Sequence, residues 1–221
     1  MYLDWKTAIR QLPDLLQAAW MTYWITLVAF FLAVIVGILL AIVRHQRYPV
    51  LYPIATIYVE LIRNTPVLVQ IFLIYFGLPQ FQIYLPPLLA GIIALAINNS
   101  AYLSEIVRSG IQAISKGQWE AAETIGLTKP RIFRLIIIPQ AIRNIFPALS
   151  NQFIMILFGT SLLSVLDIRE LTQVSSIFNS ENARVLETDT FVIFIYYFMA
   201  IVSILMLKWV NRRFFPSVNG R

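Results

Sequence analysis

Long apolar stretches separated by short polar segments dominate the pattern of this chain. Residues 15–43 form the first stretch, and its uninterrupted apolar part covers residues 27–43. Further apolar stretches lie at about residues 141–166 and 191–210, and the last one is interrupted by the fewest polar residues. A helix needs about 20 apolar residues to cross the hydrocarbon core of a bilayer. The pattern therefore predicts membrane-spanning helices.

Two further stretches, at about residues 50–76 and 87–111, carry polar or helix-breaking residues at membrane depth. These are Glu60, Arg63, Asn64 and Pro66 in the first stretch, and Asn98, Asn99, Ser100, Glu105 and Arg108 in the second. With both stretches included, the pattern predicts an all-α polytopic membrane protein with five transmembrane helices. We expect a single domain over residues 1–221.

The composition indicates that lipid is the main solvent of the chain. Hydrophobic residues make up 59% of it and charged residues only 13%, about half the charged share of a typical soluble domain.

The absence of cysteine excludes disulfides, thiolate metal sites and a cysteine nucleophile. His45 is the single histidine, so we expect an interfacial side chain there and no metal site. No GxxxxGK[ST] loop occurs, so the sequence offers no phosphate-binding loop of the P-loop type.

The amino-terminal segment is expected to remain in the protein as the first span. Lys6 and Arg10 precede an apolar stretch that is too long for the hydrophobic part of a cleaved signal peptide. No small-residue cleavage site follows this stretch.

Basic residues in the connecting segments predict the orientation of the helices. They follow the first span, separate the third from the fourth, and close the chain: Arg44, Arg47, Lys116, Lys129, Arg131, Arg134, Arg212, Arg213 and Arg221. The other connections are uncharged at residues 77–86 and mainly acidic at about residues 167–189. We therefore expect the carboxyl terminus in the cytoplasm, and the amino terminus and the acidic extracytoplasmic loop outside. The net charge of +6 reflects this bias and does not indicate nucleic acid binding.

The segment between the third and fourth spans predicts a helical hairpin along the cytoplasmic face. Good helix formers fill residues 118–125, Gly126 suits the left-handed residue that ends a helix, and residues 128–130 suit the start of a second helix. The charged positions lie on both helices, at Glu120, Glu123, Arg131 and Arg134. By charge alone, a solvated amphipathic loop is the favoured interpretation of such a segment.

The spacing of residues in this hairpin resembles the EAA loop of permease subunits of ATP-binding cassette (ABC) importers. That loop reads EAA, three residues, Gly, nine residues and I-x-L-P; this chain reads EAAETIG, LTKPRIFRL and IIIP, with Ile138 in the usual Leu position. The resemblance implies a coupling loop at about residues 115–138, whose short helix docks in a groove of the ATPase with Glu120 facing basic residues. The residues expected to take part in coupling are Glu120, Ala121, Ala122, Gly126, Arg131 and Pro139.

Residues 59–172 narrow the resemblance to permeases for polar amino acids, the histidine, arginine and glutamine uptake group. The segments that carry it are ELIRNTPVLVQIFLIYFGLP, AYLSEIVRSGIQAISKGQWEAAE, PQAIRNIFPALSNQFI, TSL and ELT. One difference precedes the TSL segment, where the family usually has Lys-Asp or a similar charged pair and this chain has Phe158 and Gly159. A role of that charged pair in gating or substrate contact therefore does not transfer to this chain.

The resemblance also implies the partners. We expect two ATPase subunits that bind ATP and Mg, a second permease that is identical or homologous, and an extracytoplasmic amino-acid-binding protein. The chain itself is then a non-catalytic, cofactor-free subunit, surrounded by lipid in a bacterial inner membrane, with a polar amino acid as substrate. Closure of the ATPases would move the coupling loops and rock the spans between inward and outward openings.

Polar side chains at membrane depth are costly and usually face protein or a water-filled cavity, so they are the candidates for the substrate path. The candidates are Asn98, Tyr102, Glu105, Glu60, Arg63, Asn151, Gln152, Thr160 and Ser161. Helical spacing places Asn98, Tyr102 and Glu105 on one face of the third span. The polar residues of the fourth span form a second set.

Structural roles for four of these candidates stay open. Hydrogen bonding between helices is as good an interpretation of Asn98 as pore lining. An internal ion pair between Glu60 and Arg63, next to a kink at Pro66, is favoured over direct substrate contact. Glu105 can likewise pair with the arginine one turn later.

The alternative function is a secondary transporter or channel subunit that works without an ATPase. Such proteins more often show inverted repeats and buried proton-relay residues, and five spans cannot form an even inverted repeat within one chain. A membrane-anchored scaffold would explain the hydrophobicity but not the polar faces of the third and fourth spans. Neither class gives a purpose to the coupling-loop pattern.

Overall fold

A computed structural model describes residues 5–214, and helices make up most of this part of the chain. The helices are α1 Trp5–Gln46, α2 Leu51–Arg63, α3 Val67–Phe72, α4 Pro87–Gln112, α5 Lys116–Thr124, α6 Lys129–Ile132, α7 Ile138–Gly159, α8 Leu171–Asn182 and α9 Val185–Phe214. They are joined by π-helical turns at Leu73–Gly77 and Phe133–Ile137 and by 3₁₀ helices at Leu78–Phe81 and Thr160–Leu166. No strand occurs within residues 5–214, and the predicted all-α class is confirmed. Arg221, used above for orientation, lies outside the described residues.

The helices long and apolar enough to cross a membrane are α1, α4, α9 and the continuous helix Lys129–Leu166. A fifth candidate is a bent pair, in which α2 and the segment Val67–Phe81 meet at 109°. The plan of membrane helices is therefore confirmed, with the second span broken where the sequence predicts a kink.

The first helix is longer than the apolar stretch predicts. It begins at Trp5, ten residues before residue 15, and its 42 residues span roughly 63 Å at about 1.5 Å per residue. The hydrocarbon core is only about 30 Å thick, so α1 extends well beyond it. Its first third is fixed by packing, because Leu15 and Ala18 are buried against Leu171 and Val174 of α8. A criterion based on apolar length alone does not detect such contacts.

The fourth span also begins earlier than residue 141. Its helix starts at Lys129, because the second helix of the predicted hairpin, α6, continues through the π turn Phe133–Ile137 into α7 without a break. The π turn lies directly before Ile138 and Pro139, and a proline removes a backbone hydrogen bond from a helix. The hairpin therefore consists of one short separate helix, α5, and the first turns of a membrane span.

The predicted extracytoplasmic loop contains a helix, α8, whose start is fixed by Glu170. This side chain is fully buried, and its carboxylate accepts the backbone N–H groups of Thr172 at 3.0 Å and Gln173 at 2.7 Å. The hydroxyl of Tyr196 on α9 donates to the same carboxylate at 3.2 Å. Burial raises the pKa of Glu170 above its ordinary value, although these hydrogen bonds favour the charged form.

Helix α4 is the centre of the fold and packs most closely against α1. The contact stripe of α1 consists of small buried residues four positions apart: Ala29, Ala33, Gly37 and Ala41. Small residues let two helix backbones approach closely in a membrane, where dispersion contacts and hydrogen bonds drive association. At Gly37, a Cβ atom would lie 2.8 Å from Cβ of Leu103 and 3.1 Å from the carbonyl oxygen of Ser100.

This contact predicts that Gly37→Ala destabilises the protein. The added methyl group would overlap a side-chain atom next to the backbone, which cannot rotate away, so α1 and α4 must separate; overpacking of this kind costs about 1–3 kcal/mol. Gly77→Ala is the matched control, since nothing lies within 4 Å of a Cβ atom there. Thermal unfolding of the purified protein should show a lower midpoint for Gly37→Ala only. Equal midpoints for the two variants would contradict the close contact.

Candidate functional site

The break in the second span frees a backbone carbonyl, which side chains satisfy. Pro66 has no N–H group to donate to the carbonyl of Ile62, four residues earlier. The amide of Gln70 donates to this carbonyl at 2.9 Å, and the hydroxyl of Thr65 does so at 3.3 Å. Asn64 bonds the carbonyl of Glu60 at 2.7 Å. Thr65 and Gln70 therefore satisfy the carbonyl that Pro66 frees, and Gln70 is not among the residues singled out from the sequence.

Gln70 also ties the broken span to α4. Its Oε1 accepts a hydrogen bond from Nδ2 of Asn98 at 3.2 Å, and both side chains are buried. On the other side of α4, Nε2 of Gln152 donates to Oδ1 of Asn99 at 2.5 Å and links α7 to the same helix. The hydroxyl of Tyr58 bonds Ser100 at 2.8 Å. Three consecutive polar residues of α4 therefore each bond a side chain of a different helix.

A cleft of about 630 Å³ lies between α4, α7 and the broken span. We call it the polar cleft; its polar lining residues are Arg63, Asn64, Thr65, Asn98, Asn99, Tyr102 and Gln152. Phe158 and Gly159, which replace the charged pair of similar permeases, are also part of its wall. Its volume is in the range of small-molecule sites. Mainly apolar walls with a few converging polar groups are typical of such sites.

The polar cleft brings together four of the predicted path residues and leaves out five. The four that line it are Arg63, Asn98, Tyr102 and Gln152. Those that do not are Glu60, Glu105, Asn151, Thr160 and Ser161. Asn98 both lines the cleft and bonds another helix, so its two interpretations are compatible. Thr160 is fully buried and bonds the carbonyl of Leu157 at 2.7 Å.

The predicted ion pair between Glu60 and Arg63 does not form. Both side chains are exposed, and none of the ion pairs among residues 5–214 includes either of them. The guanidinium carbon of Arg63 instead lies 5.6 Å from the ring centroid of Tyr102, whose hydroxyl donates to the carbonyl of Arg63 at 3.3 Å. This cation–π contact holds a positive charge at the edge of the polar cleft.

Glu105 pairs with the expected arginine and with a second one. Its Oε2 accepts from Nη2 of Arg108 at 2.9 Å, and its Oε1 bonds Nη1 of Arg44 at the end of α1. Glu105 therefore forms ion pairs within α4 and with α1, and it lies outside the polar cleft. Sequence spacing could identify Arg108, but Arg44 lies 61 residues away.

The cytoplasmic hairpin has the predicted helix end. Gly126 has φ +79°, and the N–H groups of Gly126 and Leu127 donate to the carbonyls of Glu123 at 2.9 Å and Ala122 at 3.2 Å. This pair of bonds is a Schellman motif, which requires a left-handed residue and favours glycine. Thr128 begins the next helix with extended backbone, although its side chain makes no cap hydrogen bond.

The hairpin is packed on one side and open on the other. Ala122 is buried with Ile114, Ile132 and Ile137. The ring of Trp119 contacts Phe133 at a centroid distance of 5.6 Å, and His45 approaches the same ring at 5.8 Å. The exposed residues of the hairpin include Glu120, Ala121, Glu123, Ile125, Gly126 and Arg131, while Pro139 is half-buried. Five of them lie on α5 or directly after it, which makes this helix an exposed docking surface.

Comparison with known families identifies the class of protein. Residues 12–219 match the family of binding-protein-dependent transport system inner membrane components. The chain belongs to this family. Membership of this family confirms the resemblance to ABC permeases. It contradicts the alternative function, a secondary transporter or channel subunit that works without an ATPase. In general, members of this family work with ATPase and binding-protein partners, and their permeases assemble as dimers.

Several relatives of this permease have similar length. The probable amino-acid permease protein YxeN of Bacillus subtilis (strain 168) is 38% identical over 90% of this chain and 91% of its own length. The glutamine transport system permease protein GlnP of Escherichia coli (strain K12) is 32% identical over 96% of this chain and 98% of its own length. One chain in a crystal structure of an amino acid ABC transporter with histidines matches this fold with a TM-score of 0.90. It is 38% identical in sequence, and the match covers 96% of this chain and 100% of that chain.

The hydrogen bonds of Gln70 predict that Gln70→Met destabilises this permease. Methionine fills a similar volume but leaves the amide of Asn98 and the carbonyl of Ile62 with fewer partners, at a cost of about 1–3 kcal/mol for a buried polar group. Gln80→Met, at an exposed glutamine, is the control. Thermal unfolding in detergent measures both variants. A Gln70→Met protein as stable as the control would show that the break does not depend on this side chain.

Proposed function

We propose that this chain is a permease subunit of an ABC importer for polar amino acids. The names of its relatives support an amino acid as the substrate. The observation that carries the proposal is the continuous helix Lys129–Leu166, which begins in the exposed hairpin and reaches the polar cleft. Its residues Gln152, Met155 and Phe158 line the cleft. Movement of the hairpin is therefore transmitted directly to one wall of the cleft.

The proposed importer contains two permeases, identical or homologous, and two ATPases that bind ATP and Mg. A binding protein delivers the amino acid from outside. This chain contributes no catalytic group, and its amino terminus lies outside while its carboxyl terminus is cytoplasmic. The basic residues at the end of α1, between α4 and α7, and at the end of α9 support this orientation, because cytoplasmic connections are enriched in Lys and Arg.

Coupling in this importer takes place through the exposed face of α5. Glu120 is exposed and makes no ion pair within the described residues, so its charge is available to a cationic partner. The buried side chain of Ala122 and the Trp119–Phe133 contact fix α5 against the start of the fourth span. A force on α5 therefore reaches the span through packed contacts.

Glu120→Lys is expected to weaken binding of the ATPase. It replaces attraction by repulsion at the proposed interface, and loss of an interfacial charge pair costs about 2–5 kcal/mol. The amount of ATPase that copurifies with the tagged permease measures the effect. Glu181→Lys is the control, because this exposed glutamate belongs to α8 in the predicted extracytoplasmic loop. Full copurification with Glu120→Lys would remove Glu120 from the interface.

The charge of the polar cleft favours a substrate without a basic side chain. Arg63 is the one charged residue among the described residues that line the cleft. Every amino acid brings an α-carboxylate, which this guanidinium can bind through charge-assisted hydrogen bonds. None of the described lining residues has a carboxylate that could bind a cationic side chain, and Phe158 and Gly159 occupy the positions where similar permeases usually have a charged pair. We therefore propose a neutral polar or an acidic amino acid as the substrate.

Arg63→Gln is expected to weaken binding of radiolabelled glutamine to the purified complex, measured by equilibrium dialysis without binding protein. Loss of a hydrogen bond to a charged group lowers affinity roughly ten- to hundredfold. Arg213→Gln, an exposed arginine at the end of α9, is the control. Lysine should compete less well than glutamine for the unmodified complex.

Two results would contradict this assignment. Unchanged glutamine affinity in Arg63→Gln, with the ATPase still bound, would remove Arg63 from the substrate site. Stronger competition by lysine than by glutamine would overturn the proposed charge preference but leave the coupling assignment intact.

A further inference from the structure

A second pocket, of about 260 Å³, lies where α1 and α4 end and α2 begins. We call it the basic pocket; its lining residues are Arg44, His45, Arg47, Tyr52, Arg108 and Gln112. Three of these six are arginines and none is acidic. None of the six lines the polar cleft. Neither substrate transport nor ATPase coupling, as proposed above, uses this pocket.

The arginines of the basic pocket exceed the negative charge available to them. Within residues 5–214, Glu105 is the single carboxylate paired with them, and it bonds both Arg44 and Arg108. Arg47 is exposed and takes part in none of the ion pairs of the described residues. Three guanidinium groups near one carboxylate leave an uncompensated positive charge, which favours binding of an anion.

Arg44 has unused hydrogen-bonding capacity in this pocket. Its side chain is only 8% exposed, one of its Nη atoms bonds Glu105, and its Nε is buried without a hydrogen-bond partner within residues 5–214. Buried N–H groups are nearly always paired, and leaving one unpaired is unfavourable. An anion with several acceptor oxygens would use such donors.

The backbone around the pocket determines which groups can bind the anion. The pocket lies at the carboxyl ends of α1 and α4, where the partial charge of a helix is negative and repels anions. Backbone N–H groups of these helices are therefore not available as an anion site. The arginine side chains are the charged donors that the pocket offers, and their planar guanidinium groups match a phosphate with two parallel hydrogen bonds.

The location in the sequence points to lipid as the source of the anion. Arg44 and Arg47 directly follow the apolar residues 27–43, and Tyr52 lies in the first turn of α2. The end of an apolar run marks the membrane interface, where tyrosine is enriched and lipid headgroups are found. The proposed orientation places this end of α1 on the cytoplasmic side, where basic pockets between membrane helices are suited to phosphate headgroups.

We propose that the basic pocket binds the phosphate of an anionic phospholipid, such as phosphatidylglycerol, in the cytoplasmic leaflet. His45 lines the pocket and also contacts Phe133 of the cytoplasmic hairpin. The bound headgroup therefore lies next to the contact between α1 and this hairpin. This inference does not depend on the identity of the transported substrate.

Native mass spectrometry of the purified transporter complex tests the site, with nanodiscs of phosphatidylcholine that contain increasing amounts of phosphatidylglycerol. The unmodified complex should retain phosphatidylglycerol in preference to phosphatidylcholine. Arg47→Gln, which breaks no ion pair, should lower the affinity roughly fivefold, the effect of one basic residue near a membrane surface. Gln112→Glu, which adds a negative charge to the pocket, should lower it at least as much.

Arg212→Gln and Gln80→Glu are the matched controls, since both residues are exposed and lie outside the basic pocket. Equal retention of phosphatidylglycerol and phosphatidylcholine would overturn the proposal. So would an affinity for phosphatidylglycerol that falls no further in Arg47→Gln and Gln112→Glu than in the controls. Displacement of the bound lipid by millimolar inorganic phosphate would show that the pocket is a site for free phosphate, and would likewise overturn the lipid assignment. Gel filtration and ATPase copurification verify that each variant is assembled.

Discussion

A bilayer offers no hydrogen-bonding partners to the polypeptide backbone, and this constraint governs the centre of the molecule. The second span breaks at Pro66 and turns by 109°, so the freed carbonyl of Ile62 needs a donor from the protein itself. Gln70 supplies it and also bonds Asn98 of α4. The same side chain therefore stabilises the break and fixes the broken span to the central helix. The polar cleft lies at this junction, so the bend and the cleft have a common physical origin.

The close approach of α1 and α4 provides the rigid part against which other helices can move. Small residues of α1 leave no room for rearrangement at Gly37, whereas α7 contacts α4 partly through the amide pair Gln152–Asn99. The helix Lys129–Leu166 joins the exposed hairpin to the wall of the cleft without interruption. Two π turns, at Leu73–Gly77 and Phe133–Ile137, lie in the elements that flank the cleft or lead into it. Such turns widen a helix locally and often occur at functional positions.

The site was predictable to the extent that it depends on local chemistry. The cost of polar groups at membrane depth identified Asn98, Tyr102, Gln152 and Arg63 as cleft residues, and helix-end rules identified Gly126. Spacing along one helix suggested an ion-pair partner for Glu60 and another for Glu105. The first prediction was wrong, because Arg63 stacks on Tyr102 instead of pairing with Glu60. The second was confirmed, but Glu105 also pairs with Arg44 from another helix. Gln70 was missed although it follows Pro66 by one turn, a spacing that places a side-chain donor near the freed carbonyl.

The sequence by itself determined the properties that follow from transfer into lipid and from local backbone preferences. These are the number of apolar helices, the kink at Pro66, the hairpin between the third and fourth spans, and the motif that places the chain among ABC permeases. Tertiary structure decided which polar residues share a cleft, how far α1 and the fourth span extend, and that Arg44, Arg47 and Arg108 form a pocket. The physical reason is distance along the chain. Hydropathy and helix ends depend on neighbouring residues, whereas a cleft or an ion-pair cluster depends on helices that the sequence separates by tens of residues.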